Sequence, residues 1–599
     1  TNFGLGTGWL DMSSYDVVTT RSLYLILLGS DTASPFLPVS DEEEAVENKP
    51  ATVKESNGED KKKKSKEPEP ADESKAEKVN VVIDMNNIES RIIATSLPDA
   101  NYLDLIPGPA DNIFVAEMKP GARSITLGKY SVKDNESKAF IESMDNAVVS
   151  ADRKKILYKS GSNWNIVDTK AASVKNGDGK IDLSGLSVRI SPMEEWQQIY
   201  REGWRYQRDF LYVDNTHGAP WNEVFEWYKP WVKHVRHRSE MSYIIDILGG
   251  EIAVGHSYTS GGDFPTVESV PVGLLGADFE KLNGKFKITR IYSGESWNPQ
   301  LAGPLSVPGM NINEGDYLIS VDGREIKDTD NLYSFFQGTA GMNINVAFSS
   351  SADGTDLKKI IVKTVSNENQ LRTAYWVEKN RALVDKLSGG KLAYVWLPNT
   401  GRGGYDYFNR YYFAQQDRAG AIIDERNNGG GSAADYIVDI LSRDLIGYFN
   451  SKAGEKRPFT TPMSGIWGPK VMIINERAGS GGDLMPYLFK EMGVGPLVGT
   501  LTWGGLVGTW DTPPFIDGGR MVAPRGGFFD RDGNWAIEGE GVAPDFEVMQ
   551  DPALEAAGRD PQLEKAIEVA LKLLETEGIE LKKEPPPPVR WKRPEYFKK

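Results

Sequence analysis

"NERAGSGGDLMPYLF", Asn475–Phe489, sets one serine, Ser480, among small residues between an apolar run and an amphipathic one. Upstream, "PKVMII" (Pro469–Ile474) reads as a buried strand, and "LMPYLFKEM" downstream reads as a helix. A serine at such a corner could be a nucleophile with its hydroxyl lifted into a cleft. It could equally be a helix N-cap. Strand-turn-helix corners often carry Ser and Gly, so the stretch alone leaves both readings open.

The surrounding chain has 599 residues, too many for one core, and about three to five domains are expected. It carries 69 Lys and Arg against 85 Asp and Glu, a net charge of −16, which argues against nucleic acid as a partner because a basic face is needed to displace phosphate counterions. No stretch approaches ~18 consecutive apolar residues, so no membrane span is expected. Cysteine is absent, which excludes disulfides, thiolate catalysis and zinc–thiolate sites. A Cys-free chain suits cytoplasm and periplasm alike; the reading leans to the periplasm. No metal or cofactor site is expected. The opening "TNFGLGTGWLDM" has no initiator Met and no charged-then-apolar leader, as expected of a piece whose N-terminal portion is missing.

Residues 41–79 are mostly charged and contain no aromatic residue, so they read as a solvated insertion. Around it, up to residue 187, short strands such as "RIIATSL", "NIFVAEM" and "KKILYKSG" alternate with turns, the pattern of a sandwich or of propeller blades. They are too few for a closed propeller. A helical zone follows, in which Trp196, Tyr200 and Trp204 recur every four residues as a core stripe. Strands return near residue 264. There "INEGDYLISVDGREI" (Ile312–Ile326) resembles the PDZ signature, and "GLLGADF" (Gly273–Phe279) resembles the loop and strand that capture a peptide terminus. On that resemblance Gly273, Leu274, Leu275 and Gly276 offer peptide-binding amides. From about residue 366 strands and helices alternate, an α/β layout with catalytic loops at strand ends. The tail "EPPPPVRWKRPEYFKK" reads as an extended surface strap.

A serine hydroxyl needs a base, usually histidine. The chain has four: His217, His234, His237 and His256. His234 and His237 ("KHVRHR") sit on a charged stretch read as a solvated helical face, and His217 ("NTHGAPW") reads as turn or capping structure. His256, in "GGEIAVGHSYTSGGD", is bracketed by glycines at a bend that could present it to a cleft. Backbone donors for an oxyanion could come from Gly481 and from the glycine loop of "IDERNNGGGSAAD", with Gly430 the chosen donor within it. No Gly-Lys-Ser/Thr follows that loop, so a phosphate cradle is unsupported. Glu538 and Glu540, in "NWAIEGEGVAPDFEV", could each orient a base or be surface charge; read as a strand, the segment puts both on one face.

"IDERNNGGG", "NERAGSGGDLMPYLF", "GTLTWGGLVG" and "EGVAPDFEV", in this order, resemble the catalytic half of the tricorn proteases, within the wider serine peptidase family that includes the C-terminal processing peptidases. The resemblance implies a multidomain chain. Its parts are C-terminal blades of a partial β-propeller (1–187), a helical domain carrying the catalytic histidine (188–263), a PDZ domain (264–365), an α/β serine peptidase core (366–550), and a C-terminal helix with a Pro-rich basic tail (551–599). It implies Ser480 as nucleophile, His256 as general base, Glu538 as the orienting acid, and Gly481 with Gly430 as oxyanion hole. It also implies short unfolded peptides as substrates and a homo-oligomeric ring or cage. One departure stands out: the family's serine before the histidine, which bridges it to the glutamate, is Gly255 here, so the hydroxyl bridge is absent or is replaced by water or Ser257. The alternative function is a non-catalytic peptide-binding scaffold.

Overall fold

The computed structural model describes residues 20–37, 81–175, 177–451, 459–510 and 512–597; the insertion expected at 41–79 lies outside the described residues. The chain divides into two compact units, the first running to Val188 and the second from Arg189 to the end.

The first unit is antiparallel sheet. β1 (Tyr24–Ile26) pairs with β2 (Ile92–Ala94); β3 (Tyr102–Pro107), β4 (Asn112–Glu117), β5 (Ile125–Ser131) and β6 (Glu136–Met144) form a four-stranded meander; and β7 (Asn146–Val149), β8 (Lys155–Ser160) and β9 (Asn163–Asp168) form a three-stranded one. Phe114, Leu127, Phe140 and Ile156 are buried where these two sheets share a core.

The second unit opens with helices. α1 (Pro192–Phe210) begins with Pro at its first position and Glu194 and Glu195 in its first turn, both favourable there. α2 (Trp221–Val232) and α3 (Arg238–Gly250) pack on it. Of the expected aromatic stripe, Tyr200 is fully buried while Trp196 and Trp204 flank the core half-buried. Their polar ends are paired: Trp204 Nε1 donates to Trp221 O at 2.7 Å and Trp221 Nε1 to Trp204 O at 3.0 Å. His237 does not lie on a helical face as expected. It is the N-cap of α3, its Nδ1 accepting from Ser239 N at 3.2 Å, because a charged stretch between two helices must break somewhere.

Past α3, β10 (Thr259–Ser260) leaves the helical segment. β11 (Ala277–Leu282), β12 (Lys285–Ile291), β13 (Tyr317–Val321), β14 (Arg324–Glu325), β15 (Asn343–Ser349) and β16 (Lys358–Lys363) build the antiparallel PDZ sheet, with a 3₁₀ turn, Leu332–Phe336, between β14 and β15.

α4 (Asn369–Ser388) then enters the α/β domain. Its elements are β17 (Leu392–Trp396), α5 (Arg402–Ala414), β18 (Gly420–Asp424), α6 (Ala434–Leu441), the hairpin β19 (Gly447–Phe449) and β20 (Phe459–Thr461), β21 (Lys470–Ile474), α7 (Gly481–Glu491), β22 (Leu497–Gly499), β23 (Arg520–Met521), β24 (Phe546–Glu547), α8 (Pro552–Ala556) and α9 (Pro561–Glu577). The sheet β17-β18-β21-β22-β24 is wholly parallel, and β18 and β21 are buried at every residue, as strands covered on both faces must be. β10 pairs with β23, tying the helical segment to the peptidase sheet's loops, and Arg238 on α3 forms a buried ion pair with Asp517 in the same region. Where the tail begins, Asn450 Nδ2 donates to Glu584 Oε1 at 2.6 Å and Lys582 N to Tyr448 OH at 3.1 Å.

Candidate active site

In a parallel sheet the loops leaving the carboxyl ends of the strands meet on one edge, and loops there carry Gly430, Ser480 and Gly481. β18 ends at Asp424, which is fully buried and held by Arg426 through Nε–Oδ1 (2.9 Å) and Nη2–Oδ2 (2.6 Å); Arg426 Nη1 also reaches Asp560 Oδ1 (2.9 Å), the N-cap of α9. Such bidentate pairing fixes the start of the loop 425–431. Asn428 then directs the rest of it, its Oδ1 accepting from Gly430 N at 2.9 Å and its carbonyl from Gly479 N at 3.0 Å.

β21 delivers Ser480 at the turn into α7. Ser480 has φ 59° and ψ −117°, a conformation normally reserved for glycine and costing about 1–3 kcal/mol in other residues. Strained strand-to-helix turns of this kind lift a serine hydroxyl clear of the sheet. Gly430 (φ 78°) lies directly against it: a Cβ at Gly430 would sit 2.6 Å from Ser480 Cβ and 3.1 Å from Gly481 N. The N–H of Gly481, as the first residue of α7, has no carbonyl one turn back to bond.

His256 arrives from the bend after α3, also at positive φ (62°), and is only 8% exposed. Its ring stands edge-on to Trp503 (centroids 5.1 Å apart) and to Tyr258 (5.7 Å). Trp503 covers the turn before the serine, since a Cβ on Gly479 would meet its Cε3 at 2.6 Å, and its N donates to Ala478 O at 2.9 Å. His256 is therefore joined to the Ser480 turn through one tryptophan. Burial holds the His256 pKa below its ordinary 6.5, against the opposing pull of the Glu538 and Asp483 carboxylates. Among the described residues, its buried Nδ1 has no hydrogen-bond partner.

Glu538 Oε1 accepts from Gly255 N at 2.7 Å, and Oε2 from Leu506 N at 2.7 Å and Val507 N at 2.9 Å. It thus grips the backbone of the residue before the histidine. Two expectations need correcting. Residues 537–540 are a turn, not a strand, with Glu540 N and Gly541 N both donating to Ile537 O; Ile537, at φ 74°, breaks the alternation, and Glu540 is exposed. Ser257 does not bridge to Glu538 either, for its Oγ accepts from Gln207 Nε2 at 2.8 Å. A Cβ on Gly255 would lie 3.2 Å from Glu538 Oε1, so the glycine lets main chain reach the carboxylate directly.

The other histidines stand apart from this constellation. His217 Nδ1 donates to Ile252 O (2.9 Å) and its Nε2 accepts from Tyr212 OH (2.7 Å), while His234 follows α2 in a turn. In the PDZ module, Gly273 N donates to Phe336 O (2.9 Å) and Leu274 N to Val365 O (2.8 Å), so these two expected donors are already used by the fold. Leu275 is buried, and Pro304 and Leu371 cover Gly276. Sequence reasoning passed over Asp483 and Trp503; the S-x-x-D spacing of Ser480 and Asp483 was the available signal for the first.

Family models match three stretches: the tricorn protease C1 domain at 192–250, the tricorn protease PDZ domain at 273–367 and peptidase family S41 at 391–548. A Saccharolobus solfataricus tricorn protease homolog is 32% identical over 521 residues, covering 84% of this chain and 48% of that one. A Sulfurisphaera tokodaii protein described as a tricorn-like protease C-terminal subunit is 33% identical over 512 residues, covering 82% of this chain and 58% of that one. The crystal structure of the tricorn protease superposes with a TM-score of 0.76 at 26% identity, over 82% of this chain and 48% of that one. The chain belongs to the tricorn protease family. Within this tricorn-family chain, residues 391–548 are a serine peptidase domain of family S41. The chain spans about half the length of the curated relatives it matches.

Proposed function

We propose that this tricorn-family chain hydrolyses short, unfolded peptides through an acyl-enzyme, with Ser480 as nucleophile, His256 as base and Glu538 as orienting acid. The observation that carries the reading is the strained, positive-φ turn at Ser480, met by the loops of His256 and Glu538. Ser480 Oγ attacks the scissile carbonyl as His256 takes its proton; the proton then passes to the leaving amine, and an ester remains on Ser480. Water, deprotonated by His256, hydrolyses the ester. The Gly481 N–H is one oxyanion donor and Gly430 N–H the second, the latter shared with Asn428 Oδ1. Glu538 holds the segment 255–256 by main chain and supplies negative charge for the imidazolium.

In this reading the sheets of 1–187 are propeller blades and residues 188–263 a helical domain; the PDZ module (264–365) restricts access to the core at 366–550, and copies assemble into a ring or cage. Steady-state hydrolysis of a fluorogenic peptide tests the nucleophile. Ser480→Ala is expected to lower kcat by ~10⁴ or more with folding intact; activity within about tenfold of wild type contradicts the reading.

A further inference from the structure

We infer that Asp483 is a positioning residue for the peptidase reaction: a buried carboxylate that fixes the backbone of Ser480 and supports the charge of His256. The inference rests on the proposed roles of those two residues.

Asp483 is the third residue of α7 and is fully buried. Its Oδ2 accepts from Ser480 N at 2.8 Å and from Gly505 N at 3.1 Å; its Oδ1 accepts from Gly504 N at 2.8 Å and from the Thr502 hydroxyl. A helix cap uses only the first of these bonds. The other three come from the segment 502–505, some twenty residues away, which carries Trp503 against His256 and whose Gly505 O also accepts from Ser480 N at 3.1 Å. One carboxylate therefore ties the strained serine to the wall behind the histidine.

Four donors on two oxygens suit an anion, because each oxygen must accept twice. The charged groups around it are few. Glu425, the buried first residue of the loop that follows β18, is driven towards its neutral form by burial and by Asp483, whereas burial raises the pKa of Asp483 against the opposing pull of its four donors. Asp483 and Glu538 are the two carboxylates whose charge favours protonated His256, and Tyr258 is the titratable group standing edge-on to its ring.

Asp483→Asn keeps the shape but places an NH₂ opposite two of the four donors. In full-length protein, kcat is expected to fall about 10²-fold with KM within threefold, a loss typical of small misplacement at a reacting centre. The acid limb of kcat/KM, which reports His256, is expected to move to lower pH. A capping role alone would lower stability and leave that limb in place. Folded Asp483→Asn with kcat within threefold of wild type and an unmoved limb overturns the inference. Should that variant not fold, Thr502→Ser and Thr502→Val carry the test: the hydroxyl-bearing variant is expected to match wild type and the valine to lose about tenfold in kcat, whereas equal rates overturn it. Ser480→Ala run alongside separates the failures, since an active Ser480→Ala defeats the triad reading and an inactive one beside an unchanged Asp483→Asn defeats only this inference.

Discussion

Two glycine-rich loops in this chain look alike as sequence, "GLLG" at 273–276 and "GSGG" at 479–482. In the PDZ module the first two amides of the loop are bonded to Phe336 O and Val365 O, and close contacts at Gly276 seal its end. In the peptidase domain the amides of Gly479, Ser480 and Gly482 are likewise bonded inside the fold, to Asn428 O, Gly505 O and Gly479 O. The Gly481 N–H, at a helix start, has no carbonyl one turn back to bond. Glycine makes both loops possible by removing Cβ, but the acceptors that tertiary structure brings alongside decide which amides remain for a ligand.

The sharpest way to break this contrast is the base. His256→Ala is expected to lower kcat by ~10⁴ and to add little in a double mutant with Ser480→Ala, since residues acting as one unit are not additive. His234→Ala, in the turn that follows α2, is expected to stay within about threefold of wild type. A silent His256→Ala in folded protein would remove the histidine from the site.

The acid comes next. Glu538→Gln is expected to cut kcat by roughly 10 to 10⁴-fold, and exposed Glu540→Gln by less than about threefold. Their pH profiles sharpen the point. The catalytic form of His256 is neutral and its folded pKa lies below 6.5, so kcat/KM rises with pH through a midpoint below that value. Losing the Glu538 charge removes a contribution that raises this pKa, and the limb moves further towards acid. For stability the sign is that of a depressed pKa: the contribution is full above about 6.5, the unfolded value, and is lost as pH falls towards the folded one. A limb that stays in place in Glu538→Gln would mean the carboxylate does not act on the ring.

Smaller effects test the glycines themselves. Gly430→Ala forces a methyl to 2.6 Å from Ser480 Cβ at φ 78°, and a kcat loss of about 10²-fold is expected. Gly273→Ala brings a methyl to 2.3 Å from Thr339 Oγ1, so it is expected to lower Tm by several degrees while leaving kcat on short peptides unchanged. Equal kcat losses from both would erase the distinction between the loops.

The strands and helices around Ser480 were legible because their signals are local: the apolar run of β21, the amphipathic helix after it, the glycines between. Residues whose roles depend on distant chain were not. Glu538 was assigned to a strand, yet Ile537 takes a positive φ that no residue pattern marks, and the turn it makes is what sends Glu538 to Gly255. Asp483 is silent in the sequence because three of its four partners lie at 502–505. Ser257, next to His256 in sequence, is claimed by Gln207 on α1. His237 became an N-cap because α3 starts there, a boundary the uniform charge of "KHVRHR" conceals.

In the proposed mechanism the strained Ser480 turn holds an activated nucleophile. The most direct measurement is labelling of the folded protein with a fluorophosphonate, followed by peptide mapping by mass spectrometry. A single adduct on Ser480, formed quickly in wild type and at least ~10²-fold more slowly in His256→Ala, is the expected result. No adduct in well-folded protein, or an adduct on another serine that survives Ser480→Ala, would contradict it.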